Sequence, residues 1–233
     1  MGRPTGEETA RHYATAHARL VSLVAELTED ELATPVSATP GWAVHDVLAH
    51  LAAVPTDALA GRIAGTPTDE FTAGQVAERR DRSGAELIAE WTPNVAQMCD
   101  GARADLVPPQ LAVDALTHEQ DIRGALARPR AITAEELRFC TAIYGSGSGY
   151  TIHRAALPPL RLEASDSDFV SAHHGEEQPA ATLRAPEFEL FRTLSGRRGR
   201  TQVLGYDWTG DPTPYLDVLS IFGPLRDQDL HEA

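Results

Sequence analysis

Hydrophobic positions recur with helical spacing through the first two thirds of the chain. Residues 7–27 carry Tyr13, Leu20, Leu23, Val24 and Leu27 three, four and seven apart, which predicts an amphipathic helix. Pro35, Pro40 and Gly41 then interrupt regular structure. A second stripe, Val44, Val47, Leu48, Leu51 and Leu59, predicts a helix from about Val44 to Ile63. Residues 65–98 contain one or two more, with Ser83 as an N-cap for the stretch from Glu86 to Met98. After the break "ADLVPPQ" a helix is expected from Pro109 to Leu126. Another opens on the capping box Thr133–Glu136 and should fade at "YGSGSGY".

The period changes near residue 157. Leu160/Leu162, Phe169/Val170 and Ala181/Leu183 lie in short alternating runs and predict strands. "PEFELFRTLSG" predicts a helix ended by Gly196, "TQVLGY" a strand, and "TPYLDVLSIFG" a last helix. The expectation is therefore α+β: a helical domain over residues 1–155 and a small α+β domain over 156–233, divided near Pro158–Pro159. No internal repeat is visible.

Composition removes several function classes. The formal net charge is −14, so a nucleic-acid partner is disfavoured by repulsion from phosphate. All 20 basic residues are arginine, which excludes Schiff-base chemistry on a lysine and a P-loop lysine. No apolar run reaches the roughly 20 residues that span a bilayer, and the N-terminus lacks the apolar core of a signal peptide. A cytoplasmic protein with no membrane partner is expected. Cys99 and Cys140 form no CxxC pair and read as small apolar residues. A required thiol would then come from outside the chain. "GSGSG" at 145–149 is not in dinucleotide-binding register, and no GxSxG, HExxH or Walker pattern occurs.

The candidate chemistry lies in "HDVLAHL" (residues 45–51) and "DALTHEQDI" (residues 114–122). Asp114 and His118 are four apart and share a helix face. His118 falls within the stripe Leu111, Ala115, Ile122, Leu126, and Asp114 borders it. An inward carboxylate and histidine need partners, because an unpaired buried charge is costly. Either they bond to each other in the core or a divalent metal satisfies both. His50, at the edge of its own stripe, is a structural histidine or a third ligand. A His/Asp/His set with an open position suits catalytic zinc or a related ion, and bundle interiors commonly hold such sites. Asp46 is a further ligand, an orienting group or a first-turn acid favoured by the helix dipole. His45, Glu119 and Asp121 are expected at the surface, with an arginine partner as an alternative for Asp121. His173 and His174 are expected at a surface turn. "SGRRGR" (195–200) is either a solvated loop or a binding site for an anionic group.

These stretches also carry a resemblance. "TPGWAVHDVLAHL" resembles the CPGW-x-V-x-DVxAHL segment of the maleylpyruvate isomerase family of mycothiol-dependent enzymes, within the DinB-like metalloenzyme superfamily. "DALTHEQDIRGAL" resembles that family's second metal helix, and "FRTLSGRRGRTQVLGYDWTGD" its small C-terminal domain. The resemblance implies an N-terminal DinB-like four-helix bundle followed by a small α/β domain. It implies a divalent metal, most often zinc, on His50, Asp114 and His118, with mycothiol as thiol cosubstrate. The metal would activate that thiol against a small electrophilic substrate, in isomerisation or S-transfer. A metal-dependent hydrolase and a non-catalytic binding protein are the alternatives on this fold. Arg197, with Arg198 beside it, is the implied contact for anionic groups. A homodimer is among the assemblies to expect. Two departures stand out: Thr39 replaces the cysteine before PGW, and Asp114 stands where the family's isomerases commonly carry glutamate.

Overall fold

The computed structural model describes residues 4–63, 68–171 and 178–231. The chain divides into two compact units, residues 4–131 and 132–231.

The first unit is helical. Its elements are α1 (Gly6–Val24), α2 (Glu29–Leu32), α3 (Val44–Leu59), α4 (Asp69–Ala77), α5 (Gly84–Trp91), α6 (Val95–Arg103) and α7 (Gln110–Ala125). A 3-10 turn over Thr92–Asn94 joins α5 to α6, so the pair runs as one interrupted rod. With α1, α3 and α7 it forms a four-helix bundle. The helix starts follow from sequence. Thr5 accepts the Glu8 N–H at 3.2 Å and Glu8 accepts the Thr5 N–H at 2.8 Å, a reciprocal cap for α1. Ser83 and Glu86 do the same for α5. The core draws on Tyr13, Leu20, Leu48, Leu87, Trp91, Met98, Leu116 and Ile122, each under 2% exposed or at that limit. Each such side chain contributes about 1.5–3 kcal/mol. The Trp91 indole N–H donates to the Tyr13 hydroxyl at 2.6 Å, which satisfies both polar tips inside the bundle.

The second unit contains α8 (Ala134–Arg154), β1 (Leu160–Ala164), β2 (Ala181–Ala185), α9 (Glu187–Leu194), α10 (Arg200–Leu204) and β3 (Asp207–Thr209). The sheet order is β1-β2-β3, with β1 parallel to β2 and β2 antiparallel to β3. Leu162 pairs with Leu183, and the buried alternate residues of β1 and β2 share one face. Tyr144 of α8 stacks on Phe191 of α9 with centroids 6.0 Å apart.

Four expectations change here. The helix begun at Thr133 does not fade at the glycines but runs to Arg154. Those glycines allow close packing: a Cβ on Gly147 would lie 2.9 Å from Ile221 Cγ2. α8 falls in the second compact unit, residues 132–231. "TQVL" is helical, because Gln202 turns back to accept the Gly199 N–H at 2.9 Å and starts α10; the strand comes later, at Asp207. "TPYLDVLSIFG" forms a 3-10 turn over Thr213–Tyr215 and then irregular turns. Its backbone serves α9 instead, with the Ile221 N–H donating to the Leu194 carbonyl. Phe169/Val170 gives a single bridge, Glu163 to Val170.

Candidate metal centre

The site is assembled from three pieces of the first unit. The first is the turn "TPGW". The Trp42 N–H donates to the Thr39 carbonyl at 3.1 Å, with Pro40 and Gly41 between them and Gly41 at φ +89°. Proline followed by a glycine at positive φ is the pattern of a type II turn. The turn delivers the Trp42 ring 5.5 Å from that of His50 and, nearly parallel, 6.4 Å from that of His118. The second piece is α3, which carries His50. The third is α7, which carries Asp114 and His118 one turn apart.

One ligand atom from each of His50, Asp114 and His118 lies within 4.8 Å of the other two. Among the described residues no other three His, Cys, Asp or Glu side chains converge in this way. His50 Nε2 is 3.5 Å from one Asp114 oxygen and His118 Nε2 is 3.5 Å from the other. These are long for hydrogen bonds. They match the roughly 3.4 Å between two tetrahedral ligand atoms that each sit about 2.1 Å from zinc. The donor set therefore fits a divalent cation: two imidazoles and one carboxylate, one donor short of tetrahedral coordination.

Burial says where that further ligand enters. From Leu111 to Ile122 every residue of α7 is buried except Asp114, whose side chain is 34% exposed. His50 and His118 are each 8% exposed. The carboxylate marks the side on which the site opens to solvent.

Both histidines are held by their other nitrogen. Asp121 Oδ2 lies 2.9 Å from His118 Nδ1. A carboxylate accepts only, so His118 Nδ1 carries the proton and Nε2 presents its lone pair to the site. His50 Nδ1 lies 3.1 Å from Gln75 Oε1. Burial alone would depress the His50 imidazole, but Asp114, Gln75 and Asp57 more than offset it. The ring stays above its ordinary range.

Asp121 and Glu119 correct the expectation of surface positions: Asp121 is 1% exposed and Glu119 is wholly buried. α7 is covered on nearly all sides, so a residue off its apolar stripe is not thereby solvated. Glu119 is clamped by Arg19, with Nη2 to Oε2 at 2.6 Å, and by Arg123, with Nε to Oε1 at 3.0 Å. The i, i+3 spacing of His118 and Asp121 was the available signal for the orienting contact. Asp57 and Gln75 had none in the sequence. Asp46 is a first-turn cap and accepts the Ala43 N–H at 2.9 Å. His45 is half-buried, with Nε2 2.6 Å from the Arg82 carbonyl. His173 and His174 lie outside the described residues.

Arg197 and Arg198 belong to the second unit and are 8% and 2% exposed. Arg198 is engaged with Glu189, Nε to Oε2 at 2.5 Å and Nη2 to Oε1 at 3.1 Å. Arg197 Nη1 donates to the Ser195 carbonyl at 2.6 Å, and its guanidinium lies 5.7 Å from the Phe222 ring centroid.

Comparison with known proteins bears on the fold and the family. Among solved structures the chain is similar to the mycothiol-dependent maleylpyruvate isomerase, at 16% identity and TM-score 0.54, over 88% of this chain and 93% of that one. A histidine-to-alanine variant of that enzyme matches over the same shares at 15% identity and TM-score 0.54. At such identity the likeness establishes the fold. No curated protein sequence matches the chain. The family model described as the mycothiol maleylpyruvate isomerase N-terminal domain matches residues 13–135, which run from within α1 to the start of α8 and include His50, Asp114 and His118. By that match the chain belongs to the mycothiol maleylpyruvate isomerase N-terminal domain family.

Proposed function

We propose that this protein is a mycothiol-dependent enzyme acting on a small electrophilic substrate, by isomerisation or S-transfer. His50, Asp114 and His118 would hold its divalent cation, zinc first among the candidates. The observation that carries this reading is the convergence of three candidate ligand atoms within 4.8 Å at the solvent-facing break in the buried run Leu111–Ile122 of α7.

When bound, the cation lowers the pKa of a coordinated thiol, so that a thiolate is present at neutral pH. The protein's own residues do the rest. Asp121 and Gln75 keep the two imidazoles turned with Nε2 toward the site. Asp114 supplies one negative charge, which leaves net positive charge to attract an anionic nucleophile. Trp42 lies beside both rings and lines the site. The shorter Asp114, in place of glutamate, draws the ligand oxygens closer to α7. From the resemblance, Arg197, with Arg198 beside it, would be the contact for an anionic group.

An external thiol suits the chain's own cysteines. Cys140 is wholly buried and Cys99 nearly so, and burial pushes both thiols above their ordinary range. Neither is prepared to act as a nucleophile. In an isomerisation the thiolate adds to an activated cis double bond, the resulting single bond rotates, and elimination returns the thiol with the trans product. In a transfer the carbon–sulfur bond is kept and the adjacent carbon takes up a proton instead of expelling the thiol.

The test is turnover of maleylpyruvate and a panel of other electrophiles by zinc-loaded protein, with and without mycothiol. Activity that requires mycothiol supports the reading. Turnover without any thiol indicates hydrolysis by the same centre. Intact zinc binding with no turnover across the panel indicates a binding protein.

A further inference from the structure

Helix α4 buries one residue among Asp69–Ala77, and that residue is polar: Gln75, 4% exposed. Such burial is opposed by desolvation unless every polar atom is paired. Gln75 is paired at both ends. Its Oε1 faces His50 Nδ1 at 3.1 Å, and its Nε2 donates to Asp57 Oδ2 at 2.5 Å. Asp57 is 3% exposed and accepts from Arg62 Nε at 2.8 Å on its other oxygen. The helix end is tied down by Arg79, 4% exposed, whose Nη1 donates to the Gln75 backbone carbonyl at 3.0 Å while its Nη2 meets Glu90 at 2.6 Å. α4 is thus docked by polar contacts, and those of the Gln75 side chain lead to one histidine.

We infer that Asp57 and Gln75 form a positioning relay that fixes His50 as the Nδ1–H tautomer and holds its Nε2 ready for the metal. Hydrogen-bond direction carries the argument. Asp57, the salt-bridge partner of Arg62, is a carboxylate and only accepts, so the amide NH2 of Gln75 must face it. The Gln75 carbonyl must then face His50. A carbonyl also only accepts, so Nδ1 must carry a proton, and in the neutral ring Nε2 then keeps the lone pair. The ring's orientation is thereby set from Arg62, three groups away from the metal position. Neither Asp57 nor Gln75 touches that position, so both act through His50. Partners of this kind are typically worth about 10–100-fold in metal affinity.

The inference rests on the metal reading of His50, and its test separates the two. Metal-free protein with 15N-labelled histidine, at a pH where the rings are neutral, reports the His50 tautomer by NMR, with assignment from His50→Asn. Zinc affinity is measured in parallel by chelator competition. Wild type should show His50 protonated on Nδ1. Gln75→Leu should shift the ring toward Nε2–H and weaken zinc about 10–100-fold, with the bundle's circular dichroism unchanged. The double variant Asp57→Asn/Gln75→Glu reverses donor and acceptor between 57 and 75 but still presents an acceptor to Nδ1. It should restore both the tautomer and most of the affinity. Nε2–H in wild type, zinc binding by Gln75→Leu within about twofold of wild type, or a double variant no better than Gln75→Leu would each overturn the relay. Wild-type protein with the Nδ1–H tautomer but no zinc binding would leave the relay standing and overturn the metal reading instead.

Discussion

Helices α7 and α4 are mirror images in burial. Over Leu111–Ile122, α7 is buried everywhere except at Asp114. Over Asp69–Ala77, α4 is half-buried or exposed everywhere except at Gln75. Each exception lies at the candidate centre. Over Leu111–Ile122, α7 is a framework helix that opens once, at Asp114. α4 is a peripheral helix that enters the interior once, at Gln75 behind His50. The contrast teaches that position on an apolar stripe identifies a site less well than the residue that departs from its helix's own burial.

If the contrast is right, substitutions should separate the helices. The largest effect is expected at the α7 core. Leu116→Ala, at a wholly buried position, should cost about 2–5 kcal/mol of unfolding free energy, measured by urea denaturation. A cost below about 1 kcal/mol would mean that α7 is not the framework. Next comes Asp121→Asn. The amide can turn its NH2 toward the ring, so the hold on His118 weakens, and zinc affinity should fall about 10–100-fold in chelator competition. An unchanged affinity would remove Asp121 from the centre.

Smaller effects are expected on α4. Val76→Ala, at a half-buried position, should cost less than about 1 kcal/mol, because little apolar area is lost. The smallest effect has the opposite sign. An added Cβ at Gly74 meets nothing within 4 Å, and Gly74 has an ordinary helical φ. Gly74→Ala should stabilise α4 by roughly 0.5–1 kcal/mol through chain entropy, with zinc affinity unchanged. Destabilisation there would show that α4 packs more closely than this account allows.

The sequence carried the helical framework because amphipathic stripes and reciprocal caps are local: Thr5 with Glu8, Ser83 with Glu86, and Thr133 with Glu136 are each three apart. It carried the candidate triad for a related reason, since Asp114 and His118 are one turn apart and His50 lies beside Leu51. It failed where packing decides. Asp121 and Glu119 were misplaced because a stripe argument presumes one wet face, and α7 has none over those residues. Gln75 and Asp57 are 18 residues apart and meet only through tertiary structure. In the second unit, alternation over four to six residues could not tell a strand from the short α10, and the glycines of α8 looked like a stop until Ile221 was placed against Gly147.

The central claim is that His50, Asp114 and His118 form one metal centre. It is tested most directly by the zinc content of wild type beside His118→Ala, after dialysis against a weak chelator and with folding checked by circular dichroism. The account predicts about one zinc per chain in wild type and essentially none in the variant, because two protein ligands of three do not retain the ion. Wild type without zinc, or His118→Ala with wild-type zinc content, would contradict it.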